Sequence, residues 1–288
     1  MLRSVCLMAV LFFSAQLQAS TQLFKMVYPY ALLSDVAYSS VDKIRSLVEA
    51  QGYQLDYAAA LPGYEVAYFI ASNAQSHQQI ISVRGSTNLD HVMLNMAVRL
   101  VFDPHIGIRL HQGFGHTAAA LYQDARPHLK PDYTISTTGH SLGGAVALIL
   151  AMHLNADNYK LDKIITFGQP KVTDMNGAQR YTHLNILRVT TEKDPVPLFP
   201  PFSIMDMKMP EVYWHVGNEL LLYPGFAYSQ LSAGDSMLRA ADLFTQMPDE
   251  NNIRHHYMSS YLKLLVPKLS NGVFVPYKSM ANPLNWIF

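Results

Sequence analysis

The stretch Thr137-Thr138-Gly139-His140-Ser141-Leu142-Gly143-Gly144 decides how this chain is read. It sets a serine inside Gly-x-Ser-x-Gly. Before it runs Tyr133–Thr138, a segment rich in threonine and isoleucine that reads as a strand. After it runs an apolar segment from Ala145 to about Leu154 that reads as a helix. Strand, sharp turn and helix form the setting of a nucleophile elbow. The backbone is tight at such a serine, so Gly139 and Gly143 remove Cβ atoms that would collide. The serine oxygen then stands beside a helix N-terminus, whose free N–H groups and dipole favour developing negative charge. A glycine-rich strand–helix turn without chemistry has the same local look, so the flanking sequence has to decide.

Working outward, strands and helices alternate. Leu23–Gly52 has a helical pattern. Val66–Ala71 and Gln79–Arg84 are extended runs joined by turn-forming residues, which predicts an antiparallel hairpin. Gly113–His128 reads as a helix, Lys163–Gly168 and Leu184–Thr190 as strands, and Val212–Leu222 as an extended run or hairpin. Residues 223–254 lack regularity and are expected to wander over the surface. A helix from about His255 to Leu265 is expected to close the core. Strands alternating with helices predict an α/β fold with a largely parallel sheet, made mixed by the early hairpin.

Composition narrows the function. The chain has 288 residues, half of them hydrophobic, and a formal net charge of zero. That is enough for one sizeable core, and it offers no basic surface for nucleic acid. The twelve histidines show no metal-ligand spacing. The N-terminus reads as a signal peptide: Arg3, then the apolar run Val5–Phe13, then small and polar residues with a cleavage point after Ala19. The run is too short to span a bilayer, which needs about 20 residues. The expected organisation is therefore a signal peptide over residues 1–19 and one domain over 20–288. The sole cysteine, Cys6, falls in the leader. A secreted or periplasmic product is the expectation.

A serine nucleophile needs a base, and the base needs an orienting acid. Both should follow the serine in this fold. Asp194 lies in Thr191-Glu192-Lys193-Asp194-Pro195-Val196-Pro197, just past a strand, where two prolines stiffen the loop. An ordinary turn aspartate is the plainer alternative. For the base, the adjacent His255 and His256 are equally placed by local pattern. For the oxyanion, one donor is the N–H of Leu142. A second is Ser86, in Val83-Arg84-Gly85-Ser86-Thr87 at the end of a predicted strand.

Six segments in order carry a resemblance. They are Arg84-Gly85-Ser86, His111-Gln112-Gly113-Phe114, Gly139–Gly144, Thr166-Phe167-Gly168-Gln169-Pro170-Lys171-Val172, Arg188-Val189 with Asp194–Pro197, and Tyr213-Trp214-His215-Val216-Gly217-Asn218-Glu219. Together the chain resembles the class 3 lipases, the Rhizomucor-type fungal triacylglycerol lipases and their bacterial relatives. The resemblance implies an α/β-hydrolase fold without a cofactor. It implies Ser141 as nucleophile, Asp194 as acid, and Ser86 with Leu142 at the oxyanion. Bacterial members resemble His256-Tyr257-Met258-Ser259-Ser260-Tyr261-Leu262, which selects His256 as base and leaves His255 as the fallback. His255 stands where the family often has aspartate, and His91 where relatives often have tryptophan.

The implied activity is hydrolysis of triacylglycerol-like lipid esters through an acyl-enzyme, by a monomer that touches a lipid interface transiently. Phospholipase A1 chemistry would use the same residues, and a catalytically silent lipid-binding protein would use the same fold. Thr87–Phe102 carries Leu89, Val92, Met93, Met96, Leu100 and Val101 on one helical face. The resemblance makes it a lid; an ordinary amphipathic core helix is the alternative.

Overall fold

Consecutive residues on the central strands point to opposite faces, and both faces are apolar. Ile80 and Ile81 are both buried but belong to different core clusters, and so do Ile164 and Ile165. A strand with a period of two that is buried on both sides reads as a continuous hydrophobic run, the signature of a sheet covered by helices on each face. The computed structural model describes residues 2–87, 99–200, 202–203, 211–244 and 250–278.

In chain order the elements are α1 (Leu2–Val36), α2 (Val41–Ala50), β1 (Gln54–Ala60), β2 (Ala67–Asn73), β3 (Gln78–Arg84), β4 (Leu100–Asp103), β5 (Ile108–His111), α3 (Gln112–Ala125), β6 (Thr134–His140), α4 (Leu142–Ala156), β7 (Leu161–Phe167), α5 (Met175–Arg180), β8 (Ile186–Thr191), β9 (Phe202–Ser203), β10 (Glu211–Val212), β11 (Asn218–Leu222), β12 (Ala227–Leu231), α6 (Ala233–Phe244), α7 (Met258–Lys268) and β13 (Val273–Phe274). The main sheet has the order β1-β2-β3-β6-β7-β8-β11-β12-β13. β3, β6, β7, β8 and β11 run parallel, and β1–β2–β3 form an antiparallel meander at one side. This is the mixed, mostly parallel sheet of an α/β-hydrolase fold.

α3 and α4 cover one face. From Gly143 to Leu154 every residue of α4 is buried, as expected of a helix that is apolar all round. α1 and α7 cover the other face, where Phe24, Val27 and Ala31 meet Met258, Tyr261 and Leu265. In α1, Gln18 and Ala19 are exposed and Ser20 is buried. Hydroxyls tie α1 to the sheet: Ser82 Oγ donates to the Leu33 carbonyl at 3.0 Å, and Ser34 and Thr138 share a hydrogen bond of 2.8 Å. Among the described residues, no helix is long and apolar enough to cross a membrane.

Two expectations are corrected. The stretch 223–254 is not a surface excursion in its described part. Ala227–Leu231 pairs antiparallel with β11 inside the main sheet, and α6 follows it. Tyr228, Ser229 and Leu231 are buried, and the alternation was masked because Ser229 and Gln230 look like loop residues. The last helix begins at Met258, not His255. Glu250–His256 is a 3-10 turn that precedes it. The helical stretch 23–52 is interrupted at Ala37-Tyr38-Ser39-Ser40, between α1 and α2. The lid expectation over 87–102 falls mainly on residues 88–98, including His91, which lie outside the described residues. From Leu100 on, the described part forms the antiparallel β4–β5 ribbon.

Candidate active site

The elbow is built by exclusion of side-chain volume. A Cβ on Gly139 would stand 2.4 Å from the Gly143 carbonyl oxygen, and one on Gly143 would stand 2.2 Å from the Val83 carbonyl oxygen. Only glycine fits at either position, which is why the serine carries one on each side at a spacing of two. Ser141 itself has φ 59° and ψ −131°, a conformation that costs an L-residue on the order of 1–3 kcal/mol and marks functional turns. Its N–H donates to the Phe167 carbonyl at 2.9 Å, which pins the elbow to β7. Leu142 opens α4, where a backbone N–H has no acceptor within the helix. The Ser141 Oγ is buried and has no hydrogen-bond partner.

Asp194 follows β8 and is fully buried. Its Oδ2 accepts from His256 Nδ1 at 2.8 Å and from the phenol of Tyr261; its Oδ1 accepts from the Val196 N–H at 2.9 Å. Burial alone would raise this carboxyl. His256, Tyr261 and the Val196 N–H outweigh burial and hold it below the usual carboxylate range. An ionised Asp194 must accept a proton-bearing Nδ1, so His256 keeps its lone pair on Nε2 when neutral. That Nε2 is buried and has no partner. His256, and not the half-buried His255, is the histidine brought to Asp194.

Ser86 is 3% exposed beside the elbow, and its Oγ donates to Glu65 Oε2 at 2.8 Å. Glu65 sits in the turn between β1 and β2. It was not legible as a site residue, because a glutamate in a hairpin turn has no distinguishing neighbours in sequence. Tyr261 was legible in principle: it falls three residues after Met258, on the apolar face of α7, where a hydroxyl requires a buried partner.

The remaining resemblance segments are scaffolding. His111 caps α3 by accepting the Phe114 N–H at 3.3 Å and stacks on the Phe114 ring. Glu219 is buried between Arg239, at 2.8 Å, and Arg188, at 3.8 Å. Lys171 is buried and donates from Nζ to the Leu198 and Pro200 carbonyls, at 2.5 and 3.3 Å. Burial and the neighbouring Arg188 push its ammonium down to about 7. The Lys171 contacts tie down the segment that follows Asp194. Among the described residues no group of three or more His, Cys, Asp or Glu is arranged to hold a metal ion.

The description "Lipase (class 3)" belongs to the family whose model matches residues 80–204. That span includes Ser86, Ser141 and Asp194. The chain is 31% identical over 172 residues to the secreted mono- and diacylglycerol lipase 1 of Fusarium solani, covering 54% of this chain and 48% of that protein. It is 29% identical over 168 residues to a lipase of Rhizomucor miehei, covering 54% and 46%. It thus spans about half the length of these two relatives. Among solved structures, the Lip2 lipase of Yarrowia lipolytica superposes with a TM-score of 0.61 at 22% identity, over 71% of this chain and 82% of that one. The Rhizomucor miehei lipase in its propeptide complex gives 0.56 at 23%, over 70% and 68%. A shared hydrolase fold and a family model running from β3 past Asp194 lead to one conclusion: residues 80–204 of this chain are similar to the class 3 lipases.

Proposed function

We propose that this protein is a secreted serine ester hydrolase that cleaves lipid esters of the acylglycerol type. The observation that carries the reading is the pair of buried, partnerless atoms, Ser141 Oγ and His256 Nε2, beside an Asp194 already bonded to His256 Nδ1. Orphaned buried polar atoms are costly and need a reason; a reacting pair awaiting substrate supplies one. Ser141 Oγ attacks the acyl carbonyl while His256 Nε2 takes its proton. Asp194 holds the tautomer and stabilises the imidazolium. The N–H groups of Leu142 and Ser86 receive the oxyanion. Alcohol leaves with the proton from His256, and water, deprotonated by the same nitrogen, frees the acid. No cofactor enters these steps.

Export with cleavage near Ala19 is part of the same proposal. Three things support it: the leader composition, the change from exposed Ala19 to buried Ser20, and relatives named as secreted. A monomer in transient contact with a lipid interface is the form proposed. Phospholipase A1 activity is a second reading, favoured by 27% identity over 150 residues to the Arabidopsis thaliana phospholipase A1 PLIP2, which covers 48% of this chain and 21% of that protein.

A panel of p-nitrophenyl esters, acylglycerol emulsions and phospholipid vesicles tests the proposal, run on wild type and Ser141→Ala. Turnover that vanishes in Ser141→Ala is expected. Turnover that survives it rules the mechanism out, and the preferred substrate divides the two lipid readings.

A further inference from the structure

Tyr38 lies in the turn between α1 and α2, far in sequence from every residue of the site, yet its hydroxyl stands among them. The Gly85 N–H donates to Tyr38 Oη at 3.1 Å. A Cβ on Gly85 would stand 2.8 Å from that oxygen, 2.6 Å from the His140 carbonyl oxygen and 3.2 Å from the Ser141 Cβ. The same hydroxyl is 2.9 Å from His140 Nδ1. On the far side of the ring, His140 Nε2 is 2.6 Å from the backbone carbonyl of His256. The imidazoles of His140 and His256 lie 4.5 Å apart, centroid to centroid.

These partners fix every proton. A carbonyl can only accept, so His140 carries its proton on Nε2. Burial, reinforced by the neighbouring His256, pushes the His140 imidazole down to about 3, so the ring is neutral and Nδ1 holds a lone pair. Tyr38 must therefore donate to Nδ1, which leaves its oxygen to accept from Gly85. The relay runs in one direction: Gly85 N–H to Tyr38, Tyr38 O–H to His140 Nδ1, and His140 Nε2–H to the His256 carbonyl.

We propose that Tyr38 and His140 are positioning residues which set the spacing between the oxyanion loop at Gly85-Ser86, the nucleophile elbow and the backbone of the base His256. This rests on the hydrolase reading above. The three segments come from separate loops, after β3, at the end of β6 and before α7, and the relay joins all three. It links the backbone that carries the oxyanion donor to the backbone that carries the base, through the residue next to the nucleophile. His140 takes no proton from substrate, because both of its nitrogens are engaged.

Tyr38→Phe removes one oxygen and keeps the ring. In folded protein its kcat on a p-nitrophenyl ester should fall roughly ten- to a hundredfold with KM within about twofold, the pattern of a displaced transition-state contact. Binding of a trifluoromethyl ketone, which mimics the tetrahedral oxyanion, should weaken by a similar factor. His140→Asn cannot span from Tyr38 to the His256 carbonyl and should show the same split. Wild-type kcat and inhibitor affinity in folded Tyr38→Phe overturn the proposal. If that variant does not fold, nitrogen-15 spectra of the wild-type histidines decide: His140 should be a neutral Nε2–H ring between about pH 5 and 8, where a free histidine titrates. An Nδ1–H tautomer or a titrating ring overturns it equally. A wild type that hydrolyses no ester, with Ser141 unlabelled by a fluorophosphonate, overturns the hydrolase reading itself and the positioning role with it.

Discussion

Gly168 and His256 are packed so closely that no side chain fits between them. A Cβ on Gly168 would stand 2.8 Å from His256 Cε1 and 2.9 Å from both His256 Nδ1 and Asp194 Oδ2. Its φ of 57° lies in the left-handed region. The turn that follows β7 thus forms the floor under the proposed acid–base pair. Gly168→Ala should drive the imidazole off Asp194 and lower kcat/KM by roughly a hundredfold or more, since a displacement of about 1 Å is enough for that. It should also destabilise the fold by about 1 kcal/mol or more through the unfavourable φ. Steady-state kinetics and a urea melt measure the two effects separately; normal kinetics would mean the pair tolerates displacement.

Asp194 sets which nitrogen of His256 carries the proton. Asp194→Asn keeps shape and hydrogen bonding capacity but can donate to Nδ1, which reverses the tautomer. A loss of about 10⁴-fold in kcat is expected, with a modest change in KM. A loss of less than tenfold, measured with a soluble ester, would remove Asp194 from its proposed role.

Buried neutral histidines make the fold sensitive to acid. The His140 imidazole is pushed from 6.5 to about 3, chiefly by burial, and that of His215 is also held well below the usual value by burial and the nearby cations Arg188, Lys171 and Arg239. The unfolded chain therefore binds protons that the folded chain refuses. Stability is fully present above about pH 6.5 and, for His140, is lost progressively as the pH falls toward 3, by about 1.4 kcal/mol per pH unit for each such histidine. Asp194, held low, adds in the same direction at the acid end. Urea melts from pH 7 downward should follow this slope, and His140→Gln should flatten it. A stability that does not change between about pH 6.5 and 4.5 would contradict the linkage.

Glu219 is the anion between two buried guanidinium groups, and it also accepts from the Thr190 hydroxyl. Arg188 is fully buried, and burial lowers its guanidinium to about 10 despite Glu219. Glu219→Gln leaves two cations without a countercharge in the interior, a change that costs about 3–5 kcal/mol. The expected outcome is a large drop in melting temperature, or failure to fold, with any folded fraction retaining its kcat.

What could be read in the sequence was what lies close together along it. The elbow is local, since strand, glycines and helix adjoin Ser141. Asp194, the proposed acid, is marked by the end of a strand and two prolines. Local pattern left the proposed base open between His255 and His256, because a 3-10 turn, rather than the expected helix, orients them; only the resemblance selected His256. The strand Ala227–Leu231 was hidden by its polar composition: Ser229 is buried and bonded to Tyr223 and to the Val275 carbonyl, partners that exist only once the sheet has formed. Tyr38 and Glu65 were out of reach for the same reason. Their chemistry lies in partners brought by other loops, and neither residue type is unusual in a turn.

The seam between α1 and α7 imposes an order in time. Phe24 and Ala31 close their core against Met258 and Leu265, residues from nearly opposite ends of the sequence. Contacts of such long sequence separation form late and slow folding. His256, the proposed base, sits just ahead of α7, so it reaches Asp194 only when that late seam closes. On the proposed roles, a chain that has not yet docked α7 offers Ser141 no proton acceptor, and the proposed export would begin in that state. On the proposed activity, a nascent chain cannot attack the lipids of the cell that makes it.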